Sequence, residues 1–170
     1  MTSFVVRSRV FAYAAIVGAA LGFGIVTSEA ATIVALGASN TYGKGVARNQ
    51  AYPAQLEAIL RAKGSKVHVV NAGINGDTTE GMLRRMDRTV PNGTTAVLLQ
   101  PGGNDRRKGS PDRTSDIQSR LSARGIPVIL VPNSMLHGLP HQADGMHLTP
   151  EGYHMLAEAV ASQVEGVVGR

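Results

Sequence analysis

The feature that most constrains this chain is a regular alternation of short apolar runs with helical stripes. Residues 32–36, TIVAL, are apolar and β-branched, which predicts a buried strand. Residues 52–63 place Leu56, Ile59 and Leu60 on one helical face, and Gly64 closes the segment. A second strand is expected over 66–71, KVHVVN, followed by a helix over 78–88 with Met82, Leu83 and Met86 inward. A third strand over 94–100 leads to a weaker helix over 112–124, with Ile117 and Leu121 inward and Gly125 as its stop. A fourth strand is expected over 126–131, IPVILV. Thr149 and Pro150 then open a last helix whose stripe is Leu156, Ala157, Val160 and Val164. The order β-α-β-α-β-α-β-loop-α predicts an α/β three-layer sandwich: a short parallel sheet of about four strands, flavodoxin-like in order, with helices on both faces.

The N-terminus reads differently. Arg7 and Arg9 precede an uncharged run over 10–26, and Ser28 and Ala30 occupy the −3 and −1 places of a cleavage site. The run is about 17 residues, short of the ~20 that a spanning helix prefers. We therefore expect residues 1–30 to be a signal peptide, residues 31–170 to be one domain, and the product to be periplasmic or secreted with no stable membrane insertion after cleavage. No Cys is present, so core packing alone must hold the domain. Losing Arg7, Arg9 and Glu29 takes the net charge from +5 to +4, a mild bias that suits anionic surfaces or substrates. Aromatic residues are few and basic residues scattered, which gives nucleic-acid binding no support.

In an open parallel sheet, ligands bind at the carboxyl ends of the strands. Here those ends carry small and polar turns. The first strand ends at Ser39, the second in 71–79 (NAGINGDTT), the third in 100–109 (QPGGNDRRKG), and the fourth runs into a loop holding 144–153 (DGMHLTPEGY). Ser39 is a candidate nucleophile and His147 its base. Asp144, three residues before His147, is placed to orient the imidazole. Backbone N–H groups of Ser39 and Gly73 and the Asn104 amide are candidate donors to an oxyanion. Arg106 and Arg107 form a charged lip beside Asn104. His137 and His141 lack a third partner for a metal, and the glycine-rich turns are not followed by the Lys-Ser/Thr of a phosphate loop. Thr41 stands where a G-x-S-x-G elbow needs its second Gly.

The four segments GASNT, NAGINGDTT, GGND and DGMHLTPEGY, in that order, resemble the four blocks of the SGNH, or GDSL-like, hydrolases. The nearest branch looks like the bacterial periplasmic thioesterase/lysophospholipase/arylesterase group. The resemblance implies a serine esterase or thioesterase acting on small or lipid-like acyl esters, with catalytic Ser39, Asp144 and His147, an oxyanion hole of Ser39, Gly73 and Asn104, and no cofactor or metal. A sugar acetylesterase and an inactive envelope-binding module are the alternatives. Two departures stand out. Ala38 replaces the family's usual Asp, and NSMLHGLPHQA (133–143) replaces a helix and strand, which predicts a more open acyl site.

Overall fold

The computed structural model describes residues 30–169; residues 1–29 of the expected signal peptide lie outside them. Four parallel strands form one sheet: β1 (Ala31–Gly37), β2 (Val67–Gly73), β3 (Ala96–Gln100) and β4 (Val128–Leu130), in the order β2-β1-β3-β4. Six α-helical segments accompany them: α1 (Ser39–Tyr42), α2 (Tyr52–Ala62), α3 (Thr79–Thr89), α4 (Asn104–Lys108), α5 (Thr114–Ala123) and α6 (Pro150–Val168).

Both faces of the sheet are covered, so its strands are apolar throughout rather than alternating. Side chains still alternate in direction along a strand. Ile33 and Ala35 of β1 pack with Leu56 and Leu60 of α2 and with Leu156 and Val160 of α6. Val34 and Leu36 point the other way, against Met82 and Met86 of α3 and Ile117 and Leu121 of α5. The result is the expected three-layer sandwich, and the stripes read from the sequence are the buried ones, with Ile59 and Leu83 partly so. At α6, Thr149 accepts a hydrogen bond from the Gly152 N–H at 3.2 Å and caps the helix.

Strands three and four are shorter than the sequence suggests, for two reasons. Thr95 pairs with β1 partly through its side chain, whose Oγ1 accepts from the Thr32 N–H, so regular pairing begins at Ala96. Pro127 lends its carbonyl to the Val97 N–H but has no N–H of its own, which delays the start of β4. The loop after β4 is a short 3-10 turn (Asn133–Leu136) and a tight return in which His141 bridges to Leu148. Among the described residues, no helix is long and apolar enough to cross a membrane. The strand order reverses between β1 and β3, and a crevice at their carboxyl ends follows from that reversal.

Candidate active site

Ser39 opens the single turn of α1, two residues beyond the end of β1. That turn lies directly over the strand ends because two glycines make room. A Cβ on Gly37 would sit 2.1 Å from Thr41 Oγ1, and a Cβ on Gly73 would sit 2.1 Å from the Tyr42 backbone nitrogen. The two glycines are register partners across β1 and β2. Gly43, at φ +82°, ends the turn and donates its N–H to the Ser39 carbonyl at 3.0 Å.

The loop before α6 brings the other two groups. Ser39 Oγ lies 2.9 Å from His147 Nε2, and His147 Nδ1 lies 2.5 Å from Asp144 Oδ2. Asp144 Oδ1 accepts the backbone N–H groups of Met146 at 2.9 Å and His147 at 3.0 Å. The bond from the His147 ring, followed by these two backbone donors, holds the Asp144 carboxyl well below the usual carboxylate range. An ionised Asp144 fixes the proton on Nδ1 and leaves Nε2 free to accept from the serine hydroxyl. Ser39 and His147 are buried, whereas Asp144 keeps 38% of its side chain exposed.

Side chains that sequence reasoning passed over hold this arrangement. Asn40 donates from Nδ2 to the Met146 carbonyl at 3.2 Å and accepts from the Tyr153 hydroxyl at 3.0 Å. It thereby ties the serine turn to the histidine loop and to α6. Burial pushes the Tyr153 phenol up to about 12. Gln142 donates from Nε2 to the carbonyls of Lys44 and Leu148, both at 2.8 Å, and so pins the same loop from its other side.

Asn104 opens α4 at the end of β3 and is buried. Its Nδ2 donates to the Asp77 carbonyl at 2.7 Å, and its Oδ1 accepts from Arg107 Nη2 at 2.6 Å. The amide is thus fixed at both ends, with one N–H left over. Gly73 does not fill the role expected of it. Its N–H donates to Asn71 Oδ1 at 3.0 Å, and its backbone serves the close approach of α1. Gly76, three residues on, has φ +73° in a turn closed by the Asp77 N–H on the Ile74 carbonyl at 3.1 Å. Its own N–H has no acceptor among the described residues. The Asn75-Gly76 dipeptide was the sequence signal for that turn.

The cleft over these groups has a volume of about 360 Å³. Ala38, Gln100, Gly102, Asn133 and Leu136 line it along with Ser39, Asn104 and His147. Ala38 is buried, and a Cβ on Gly102 would touch its methyl at 3.4 Å, so the position of the missing Asp is closely packed. Arg106 and Arg107 both reach the lining. Arg107 is engaged with Asn104 and, through Nη1, with Met146 Sδ at 3.4 Å. His137 and His141 also line the cleft, and His141 Nδ1 bonds the Leu139 carbonyl at 2.7 Å.

Known proteins share this plan. A curated esterase, TesA of Pseudomonas aeruginosa, is 29% identical over 119 residues, covering 65% of this chain and 59% of its own length. An arylesterase of Vibrio mimicus is 31% identical over 93 residues, covering 53% of this chain and 46% of its own. The chain thus spans about half the length of the curated relatives it matches. The crystal structure of AlinE4, an SGNH-hydrolase family esterase, superposes with a TM-score of 0.56 at 28% identity, covering 82% of this chain and 84% of that one. The family description "GDSL-like lipase/acylhydrolase" matches residues 35–144, most of the folded domain, and this chain belongs to that family.

Proposed function

We propose that the chain is a serine hydrolase of carboxylic esters and thioesters that works through an acyl-enzyme. The observation that carries this reading is the unbroken relay from Asp144 to His147 to Ser39, with gaps of 2.5 and 2.9 Å. Ser39 Oγ attacks the acyl carbonyl as His147 Nε2 takes its proton. Asp144 keeps the imidazole in the required tautomer and stabilises it once charged. The tetrahedral oxyanion is received by the Ser39 N–H, the free N–H of Asn104 and the Gly76 N–H, the last in place of Gly73. His147 then protonates the leaving alcohol or thiol. A water activated by the same imidazole releases the acid and restores the serine. These steps use only side chains and backbone of this chain.

No α-helix or strand stands between β4 and Asp144, and the cleft lining carries the amides of Gln100 and Asn133 with only a few apolar groups, Ala38, Leu136 and Met146. Burying an alkyl chain against such amides strips them of water without compensation. Short acyl groups therefore fit best. Acetyl esters of sugars are a second reading favoured by the same polar lining. We further propose that residues 31–170 act outside the cytoplasm after removal of the leader, on the strength of the basic, apolar and small-residue pattern of residues 1–30.

A serine-directed fluorophosphonate tests the central reading. One equivalent of label on the native chain and none on Ser39→Ala is the expected result. No labelling of the native chain defeats it and favours the binding module. Acetyl, hexanoyl and dodecanoyl nitrophenyl esters test the acyl preference: kcat/KM should fall with chain length. Acetylated sugars compared with acetyl thioesters test the leaving group.

A further inference from the structure

Three consecutive cations follow Asp105 on α4, and the structure gives them different work. Lys108 Nζ donates to the Gly76 carbonyl at 2.6 Å. Arg107 is spent on Asn104 and Met146. Arg106 has no hydrogen-bond or ion-pair partner among the described residues, is exposed, and forms part of the cleft wall. The lining of that cleft holds Arg106, Arg107, His137 and His141, and no carboxylate. Nearby acids are already committed. Asp144 serves His147, Asp77 pairs with Arg85 at 2.9 Å, and Asp105 Oδ1 accepts the Thr79 N–H at 2.9 Å. Asp112 shares a neighbouring recess with Arg106 but accepts the Thr114 N–H at 2.8 Å and forms no ion pair with the arginine.

Asp105, Asp112 and Asp144 lie outside this lining; the cleft itself presents guanidinium groups and no carboxylate, which favours an entering anion. We infer that Arg106 is a specificity residue and that the preferred substrates are esters bearing a carboxylate or phosphate near the scissile bond. This inference rests on the hydrolase reading above. A guanidinium matches either anion through two parallel N–H donors, geometry that a lysine does not reproduce. The anion lies on either the acyl or the alcohol portion, and matched ester pairs tell the two apart.

The acyl-side pair is 4-nitrophenyl hydrogen adipate and its methyl ester; the alcohol-side pair is 3-acetoxybenzoate and its methyl ester. Each rate is normalised to that compound's alkaline hydrolysis. In at least one pair the native chain should favour the anionic member about tenfold in kcat/KM, chiefly through KM. Arg106→Gln should remove most of that preference and Arg106→Lys should keep part of it. About 0.5 M NaCl should erode it in the native chain. Equal kcat/KM for both members of both pairs overturns the inference, as does a preference that Arg106→Gln leaves intact. In either case, turnover of the neutral esters that depends on Ser39 shows that the hydrolase reading survives. If neither member of either pair is hydrolysed, both readings fall together.

Discussion

The two walls of the cleft are held by different means. On the histidine side, the loop bearing Asp144 and His147 is strapped by neutral groups: Asn40 to the Met146 carbonyl, Tyr153 to Asn40, and Gln142 to the carbonyls of Lys44 and Leu148. On the asparagine side, α4 is fastened by cations: Arg107 to Asn104 and Lys108 to the Gly76 carbonyl. Bonds between neutral groups respond little to ionic strength, whereas exposed charges are screened within about 10 Å at 0.1 M salt. On the proposed mechanism, the groups for proton transfer sit on the wall held by neutral bonds. Those for oxyanion stabilisation sit on the wall held by charge.

Substitutions on each wall test that contrast. The largest effect is expected from Asp144→Asn, which lowers kcat by about 10²–10⁴ because the imidazole loses its orienting charge. The native pH profile sharpens this expectation. Asp144 is held below its ordinary range, so its contribution to loop stability is complete above the unfolded carboxylate value of about 3.9 and is lost only as pH falls further. The acid limb of kcat/KM should therefore carry no step from the carboxylate. A second ionisation on that limb would place the carboxylate in the titration and weaken the contrast between the walls.

Asn104→Ala comes next, with a loss of about 10²–10³ in kcat and little change in KM, as for other oxyanion donors. Arg107→Leu should cost about tenfold in kcat, since it frees the Asn104 amide to turn. In the Asn104→Ala background, the same change should cost almost nothing more. Additive losses would mean that Arg107 acts on substrate directly. The smallest effect is expected from Asn40→Leu, about threefold to tenfold in kcat and the same at low and high salt, because neutral straps are cut. A salt-dependent loss there would erase the distinction between the walls.

Much of this architecture could be read before any coordinates. Sheet, helices and their inward stripes followed from periodicity, since each helix of ten residues or more carries enough turns to show it. Ser39, Asp144 and His147 were legible because their segments sit at strand ends and the last two are close in sequence. The short helices α1 and α4 were not, because four or five residues carry no period. Asn40, Tyr153 and Gln142 were also missed. Their bonds join residues about a hundred positions apart and leave no local pattern. Gly73 closes the second strand and was read as a backbone donor. Only the fold reveals that its N–H is taken by Asn71, and that Gly76 occupies the left-handed turn. The loop over 133–148 bears Asp144 and His147, and the bridge and bonds that hold it leave no local pattern in the sequence.

The paired glycines beneath the serine turn carry a consequence for how this chain can vary. Position 37 and position 73 face α1 with hydrogen where any other residue has carbon. Alanine at either would lift the nucleophile off its platform and away from its base, even though neither site bears a functional group. The proposed chemistry is inherited from vacancy: sequence drift is restricted here by two atoms the chain does without.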